Sequence, residues 1–264
     1  MEPNGDKHAQ TFGKLIMKKL SILFLTLSLS LIGCNFNADK STNPESSPAN
    51  AAISETEQQL KPINDSLPII GLLMYNGVLT TEVTATADVF TKHTQGGKQL
   101  FNVITIAETS DPIVSEEGLK IVPDYTFENS PKLDVLFVPS AYDMYTQVHN
   151  PKIVNFIKEQ NKNTKYTVSN CAGAHLIGES GIADGKKIVT WIGGGEELQK
   201  NYPNLKVQND SVVSYMEDGK FLSSNGNLAS YISALNLLEK MTDKEHVEFV
   251  KSYLYLDVLQ NWGR

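Results

Sequence analysis

From residue 67 onward, short apolar runs alternate with stretches whose apolar residues recur at helical spacing. Residues 67–75 (LPIIGLLMY) form one continuous apolar run. That is the pattern of a strand buried on both faces, and Asn76-Gly77 breaks it. The spacing of Val83, Ala87, Val89 and Phe90 predicts a helix over 82–92. A second strand is expected at 101–107, then a hairpin excursion over 113–127 turning at Glu117-Gly118. Residues 134–138 (DVLFV) read as another buried strand, stopped by Pro139. Asn150-Pro151 opens a helix running to 160, with Pro at the first helical position. A strand at 166–169 leads into a helix over 172–179 that Gly181 ends. A short helix is expected at 196–201, strands at 212–215 and 220–223 around Asp218-Gly219, and helices at 229–241 and 244–259. Short apolar strands alternating with helices predict an α/β fold, a three-layer sandwich around a mainly parallel sheet.

The first 66 residues have a different pattern. Lys18-Lys19 precede the apolar run LSILFLTLSLSLIG, which ends at Gly33 before Cys34. A basic start and a short apolar stretch predict a signal peptide over 1–33, too short to span a bilayer as a stable helix. Glu2 and Asp6 fit such a signal poorly, which makes Met17 an alternative start. Leu31-Ile32-Gly33-Cys34 resembles a bacterial lipobox, in which the Cys becomes the first mature residue and carries lipid. The expected membrane partner is therefore reached through lipid on Cys34, on the exported side. Residues 35–66 are rich in Asn, Ser, Pro, Ala and acidic side chains without apolar periodicity. They predict a disordered tether, since they bury too little surface to offset their ordering entropy.

The chain has 264 residues and a formal net charge of −7. Removing residues 1–33 takes away four Lys and two acidic residues, leaving 19 basic against 28 acidic side chains and a net charge of −9. With no basic cluster in that remainder, nucleic acid is an unsuitable partner. The length from 67 to 264 suits one substantial core and one domain.

Ligands in open α/β sheets sit at the carboxyl ends of the strands. Three predicted strand ends carry residues suited to chemistry. In Ser169-Asn170-Cys171-Ala172-Gly173 a strand turns directly into a helix, the layout of a nucleophile elbow. Free N–H groups at the helix start favour a thiolate on Cys171. The competing reading is a buried structural cysteine. In Gly77-Val78-Leu79-Thr80-Thr81-Glu82, Glu82 is placed to reach that thiol or, alternatively, only to complement the helix dipole. After the third strand end, the N–H groups of Ser140 and Ala141, with that of Ala172, are candidates to face an oxyanion.

Together these motifs resemble the ThiJ/PfpI superfamily, of the flavodoxin-like, class I glutamine amidotransferase-like fold. Glu82 stands five residues after Gly77, and Cys171-Ala172-Gly173 is similar to that family's elbow. Ile182-Ala183-Asp184-Gly185-Lys186-Lys187 and the stretch 217–226 (EDGKFLSSNG) resemble its later segments. The likeness is nearest to the branch attached to AraC-type regulators, and a stand-alone domain is expected because the chain ends at Arg264. Many members place a His where this chain has Trp191, and a Pro-Gly-Gly where it has Pro139-Ser140-Ala141. The resemblance thus implies catalysis by Cys171 and Glu82 without a Cys–His dyad. Glu82 would be protonated and donate to a thiolate of lowered pKa. Protease and amidotransferase activities are disfavoured. A lyase, hydratase or hydrolase acting on a small molecule is one expectation, although isonitrile hydratase-like members carry Thr where this chain has Ala172. A non-enzymatic ligand-binding or oxidation-sensing domain is the other. A homodimer is also implied, and no cofactor.

Other candidates are weaker. His175 follows Cys171 by four residues and reads as a packing residue; His149 reads as exposed, and His93 and His246 as surface residues. No cluster has metal-ligand spacing. Gly193-Gly194-Gly195 reads as a turn and lacks both phosphate-loop fingerprints.

Overall fold

The computed structural model describes residues 60–259. The lipobox with Cys34, the signal segment 1–33 and most of the expected tether lie outside the described residues.

The apolar runs form the centre of a seven-stranded sheet. Strand β1 (Ile69–Leu73) pairs in parallel with β2 (Asn102–Ala107) on one side and β6 (Val135–Val138) on the other. Beyond β2 lies β5 (Tyr125–Thr126), also parallel. Beyond β6 come β7 (Tyr166–Asn170) and β11 (Phe221–Ser224), both parallel, and then β10 (Tyr215–Asp218), which is antiparallel to β11. The order is β10-β11-β7-β6-β1-β2-β5. From β1 the chain moves first to β2 and later to β6, on opposite sides, so a topological switch point lies between β1 and β6. A ligand crevice is expected there.

Helices cover both faces. One layer holds α1 (Thr80–Phe90), α6 (Ala229–Met241) and α7 (Lys244–Tyr253); the other holds α2 (Met144–Val148), α3 (Pro151–Asn161), α4 (Gly173–Ser180) and α5 (Gly195–Asn201). Asn150 caps α3 by accepting the Lys152 N–H at 3.0 Å. The start of α1 has no cap of its own. Instead Glu117 reaches across to accept the Thr80 N–H at 3.1 Å. Phe90 meets Phe101 and Phe137 edge-on within the core.

The structure departs from the sequence pattern where elements are short. The hairpin is confined to β3 (Ile113–Val114) and β4 (Lys120–Ile121), because β5 leaves it to extend the main sheet. Helix α2 and the pair β8 (Lys187–Ile188) with β9 (Lys206–Val207) span too few residues to show a period. Strand β10 begins at Tyr215, while Val212 is 78% exposed and joins no sheet. The last helix is interrupted before α8 (Leu256–Leu259) by Tyr255, whose φ is 58°. His246, read as a surface residue, is buried at 7% exposure because α7 packs on α6.

Residues 61–66, at the end of the expected tether, are bonded to the sheet edge. Lys61 donates to the Val103 carbonyl at 2.8 Å, and its own carbonyl accepts the Tyr125 hydroxyl at 2.5 Å. Asn102 exchanges hydrogen bonds with the Asn64 backbone in both directions, each at 2.9 Å. We expect a chain beginning at Leu67 to melt lower than one beginning at Leu60. At about 1 kcal/mol net per hydrogen bond, losing these four bonds costs about 4 kcal/mol. For a domain of this size that is roughly 8–16 °C in a thermal melt. Equal melting temperatures would show that the segment adds nothing to the fold.

Candidate functional site

Four chain segments leaving the carboxyl ends of β1, β6, β7 and β11 converge on Cys171. The elbow itself is strained, with Cys171 at φ 51°, in the left-handed region that side chains other than Gly rarely adopt. Its neighbours hold it there. The Cys171 N–H donates to the Ser224 carbonyl at 2.9 Å, and its carbonyl accepts the Thr190 hydroxyl at 2.9 Å. Beneath it, buried Asn170 accepts the Ser224 and Ser233 hydroxyls at 2.8 and 2.9 Å. Gly173 permits the close packing of α4 on β6: a Cβ there would stand 2.3 Å from the Val138 carbonyl oxygen.

Glu82, on the first turn of α1, is 1% exposed and faces the thiol. Its carboxyl accepts the Ser140 N–H at 2.7 Å and the Asn227 N–H at 3.3 Å, and it is hydrogen-bonded to the Cys171 side chain. The turn that supplies Ser140 is fixed from two directions. Leu79 donates to the Ser140 carbonyl at 2.8 Å, and the buried Tyr75 hydroxyl donates to the Pro139 carbonyl. On the opposite side Gly226, with φ 83°, brings β11 against the pair. A Cβ at Gly226 would lie 2.2 Å from the Cys171 Cβ and 2.3 Å from the Glu82 carboxyl.

The electrostatics differ from those expected of an elbow. Burial raises the Glu82 pKa against the lowering influence of its N–H donors. Burial pushes the Cys171 thiol up to about 11, and the charge of an ionised Glu82 adds to the rise. The Ala172 N–H favours the thiolate, as the start of a helix should, but it is outweighed. The sequence expectation of a depressed thiol pKa is therefore reversed, because desolvation exceeds the donors at the helix start. The Glu82 charge raises the thiol while the hydrogen bond from the Cys171 side chain lowers Glu82, so the pair's negative charge rests on the carboxyl beside a protonated sulfur.

The expected oxyanion donors fare unequally. Ser140 spends its N–H on Glu82, and the Ala141 N–H is directed at the Met144 sulfur at 3.3 Å. Neither is open to a substrate oxygen, which leaves Ala172 at the sulfur. The Ser140 hydroxyl is buried between Glu82 and Cys171, and its hydrogen bonding lowers the pKa of both. Trp191, where the resemblance expects a histidine, stacks on His175 at 5.3 Å between ring centroids. His175 is buried, as its packing reading requires, and burial lowers its pKa. His149 is exposed, yet it stands at the mouth of the site.

Cys171 is a free thiol, partly exposed, at the floor of a cleft of about 930 Å³. Ser140, Ala141, Ala172 and Trp191 all line it. Among the described residues no group of three or more His, Cys, Asp or Glu side chains is placed to hold a metal, and no helix is long and apolar enough to cross a membrane. Sequence reasoning missed Tyr75, Thr190 and Asn227 as supports of the pair. Their parts are played by a hydroxyl or a backbone N–H at long range, for which the sequence carries no local signal.

Replacing Gly226 by Ala tests how tightly the pair is enclosed. We expect Gly226→Ala to destabilise by about 1–3 kcal/mol more than Gly97→Ala, since overpacking adds to backbone strain. Gly97 has a similar φ of 80° with open space around it, so it isolates the strain. Equal losses in denaturant melts would show that the wall at Gly226 yields freely.

Three comparisons with known proteins bear on this arrangement. The chain is 28% identical over 144 residues to isonitrile hydratase of Pseudomonas putida, covering 54% of this chain and 60% of that one. It is 23% identical over 139 residues to the HTH-type transcriptional regulator CdhR of Pseudomonas aeruginosa, covering 53% of this chain and 40% of the regulator. It thus spans less than two thirds of either curated relative. The crystal structure of DJ-1beta from Drosophila melanogaster superposes with a TM-score of 0.62 at 20% identity, over 72% of this chain and 98% of that one. Residues 69–240 match the model of the DJ-1/PfpI family, and they contain the sheet and all four loops around Cys171. The chain belongs to the DJ-1/PfpI family.

Proposed function

We propose that this domain is a cysteine-dependent enzyme of the hydratase or lyase type, acting on a small electrophilic molecule and held by lipid on Cys34 at the exported face of a membrane. The observation that carries the reading is the Glu82–Cys171 contact: among the described residues, Glu82 is the only acid or base hydrogen-bonded to the sulfur. The resting pair is a thiol beside a carboxylate. As sulfur attacks a polarised carbon, Glu82 takes the thiol proton, and the resulting carboxylic acid returns it to the atom that gains charge. The similarity to isonitrile hydratase supports addition to a carbon of that kind. Trp191 removes the imidazole that a protease-like dyad would use.

A second reading, a non-catalytic ligand-binding domain, is favoured by Trp191 alone. Oxidation sensing is less well supported, because sensor cysteines rely on a low thiol pKa and this one is pushed up to about 11.

The two readings separate in the variant Glu82→Gln. Thiolate is the form that alkylates, so the wild-type rate should climb with pH toward about 11. Removing the carboxylate charge lowers the thiol pKa, by about one unit, or about 1.4 kcal/mol. Cys171 should then alkylate faster near pH 8 while turnover of an isonitrile is lost with the base. An unchanged alkylation profile would remove Glu82 from the sulfur's surroundings. Retained turnover would remove it from the chemistry.

The anchoring is tested separately. Cells fed a clickable fatty acid should label the wild type and leave Cys34→Ala unlabelled. An unlabelled wild-type protein would end the lipid reading and leave the site untouched.

A further inference from the structure

The cleft above Cys171 has a one-sided charge. Three of its lining side chains are acidic, Asp143, Glu179 and Glu197, and none is Lys or Arg. Asp143 is held charged by the N–H and hydroxyl of Thr146, which keep its carboxyl below the usual range. Glu179 is oriented by the Tyr202 hydroxyl at 3.3 Å. The charge of Glu197 is felt at His175.

The lining is also aromatic: Tyr142 and Tyr145 are more than 70% exposed, Tyr145 with one face toward His149, and Trp191 has one face against His175 and the rest of its surface partly open. Ring faces beside carboxylates attract an organic cation from two directions at once. Two imidazoles line the cleft: His149, exposed at its mouth and packed on Tyr145, and His175, which burial holds toward the neutral form. The His175 Nε2 is buried without a hydrogen-bond partner while the residue lines the cleft, which leaves one polar atom for a ligand to satisfy.

We propose that this cleft selects small organic cations, an ammonium or similar group lodged between the aromatic faces and the three carboxylates, and excludes anions. This rests on the reading of Cys171 as the group that meets the ligand, and it names the charge class of that ligand. An anion entering the cleft would meet Asp143, Glu179 and Glu197 first and the charge of the Glu82–Cys171 pair last.

The experiment uses the full chain with Cys34→Ser, so that Cys171 is the only thiol. Modification rates at pH 8 are compared for trimethylammonioethyl methanethiosulfonate and sulfonatoethyl methanethiosulfonate. The cation-to-anion rate ratio is then divided by the same ratio for 2-mercaptoethanol. We expect the normalised ratio to be about tenfold or more, the scale of electrostatic focusing in a charged cleft. Glu179→Gln combined with Glu197→Gln should cut it by about threefold or more, and high salt should do likewise. A normalised ratio near one, or one untouched by the paired substitution, overturns the charge assignment and leaves Cys171 as a reactive group. If neither reagent modifies Cys171, the assignment falls together with the reading it rests on.

Discussion

Glu82 sits in the protein at 1% exposure beside a sulfur, and the loops around it are arranged to make that tolerable. A buried carboxyl without partners would raise its pKa and lose its charge. Here the Ser140 and Asn227 N–H groups meet both of its oxygens. Those donors come from different strand ends, β6 and β11, so the carboxyl serves as the point where the loops are joined. Removing it would leave the buried Ser140 N–H unpaired and the Asn227 N–H without its acceptor, as well as changing the chemistry of the thiol.

This constraint propagates outward. Ser140 is held through Leu79 and, by way of Pro139, through Tyr75, both from the chain that follows β1. Asn227 follows Gly226, whose missing side chain lets β11 reach the pair. Cys171 is held in its unusual φ by Ser224 and Thr190. The strain at the elbow is therefore supported by hydrogen bonds from at least two neighbouring segments, which is how such backbone conformations persist. The sheet order supplies the remaining condition, because β1 and β6 flank the switch point and bring their carboxyl ends together.

Much of this was legible in the sequence, for identifiable reasons. β1, β6 and β7 are apolar or bounded by clear breaks, so their existence followed from pattern alone. Cys171 and Glu82 were visible because each stands next to a strand end at a spacing that a family resemblance made specific. The short elements α2, β8 and β9 were illegible, since two to five residues hold no period. The raised thiol pKa is illegible for a different reason. A helix start is local and can be read from residues 171–173, whereas desolvation depends on what β1, β6 and β11 place above the sulfur. The use of the Ser140 N–H by Glu82 was hidden likewise, being a contact across 58 positions of sequence.

Trp191, standing where the family resemblance expects a histidine, changes more than the identity of the base. A Cys–His dyad forms a thiolate beside an imidazolium and stays neutral overall. A Cys–Glu pair carries one negative charge in either of its proton arrangements. Moving the proton from sulfur to carboxyl leaves that total unchanged, so the transfer itself creates no new buried charge. On the proposed reading, the electrophile accepts a negative charge on attack and then takes the proton back from Glu82, since among the described residues no other acid is bonded to the sulfur. Such a pair suits additions to polarised carbon and suits poorly the expulsion of a basic leaving group that needs its own proton donor. With the Ser140 N–H committed to Glu82 and that of Ala141 turned toward Met144, the tetrahedral oxyanion of an acyl transfer would find little support. The same hydrogen bonds that make the buried carboxyl stable therefore narrow the chemistry the elbow can perform.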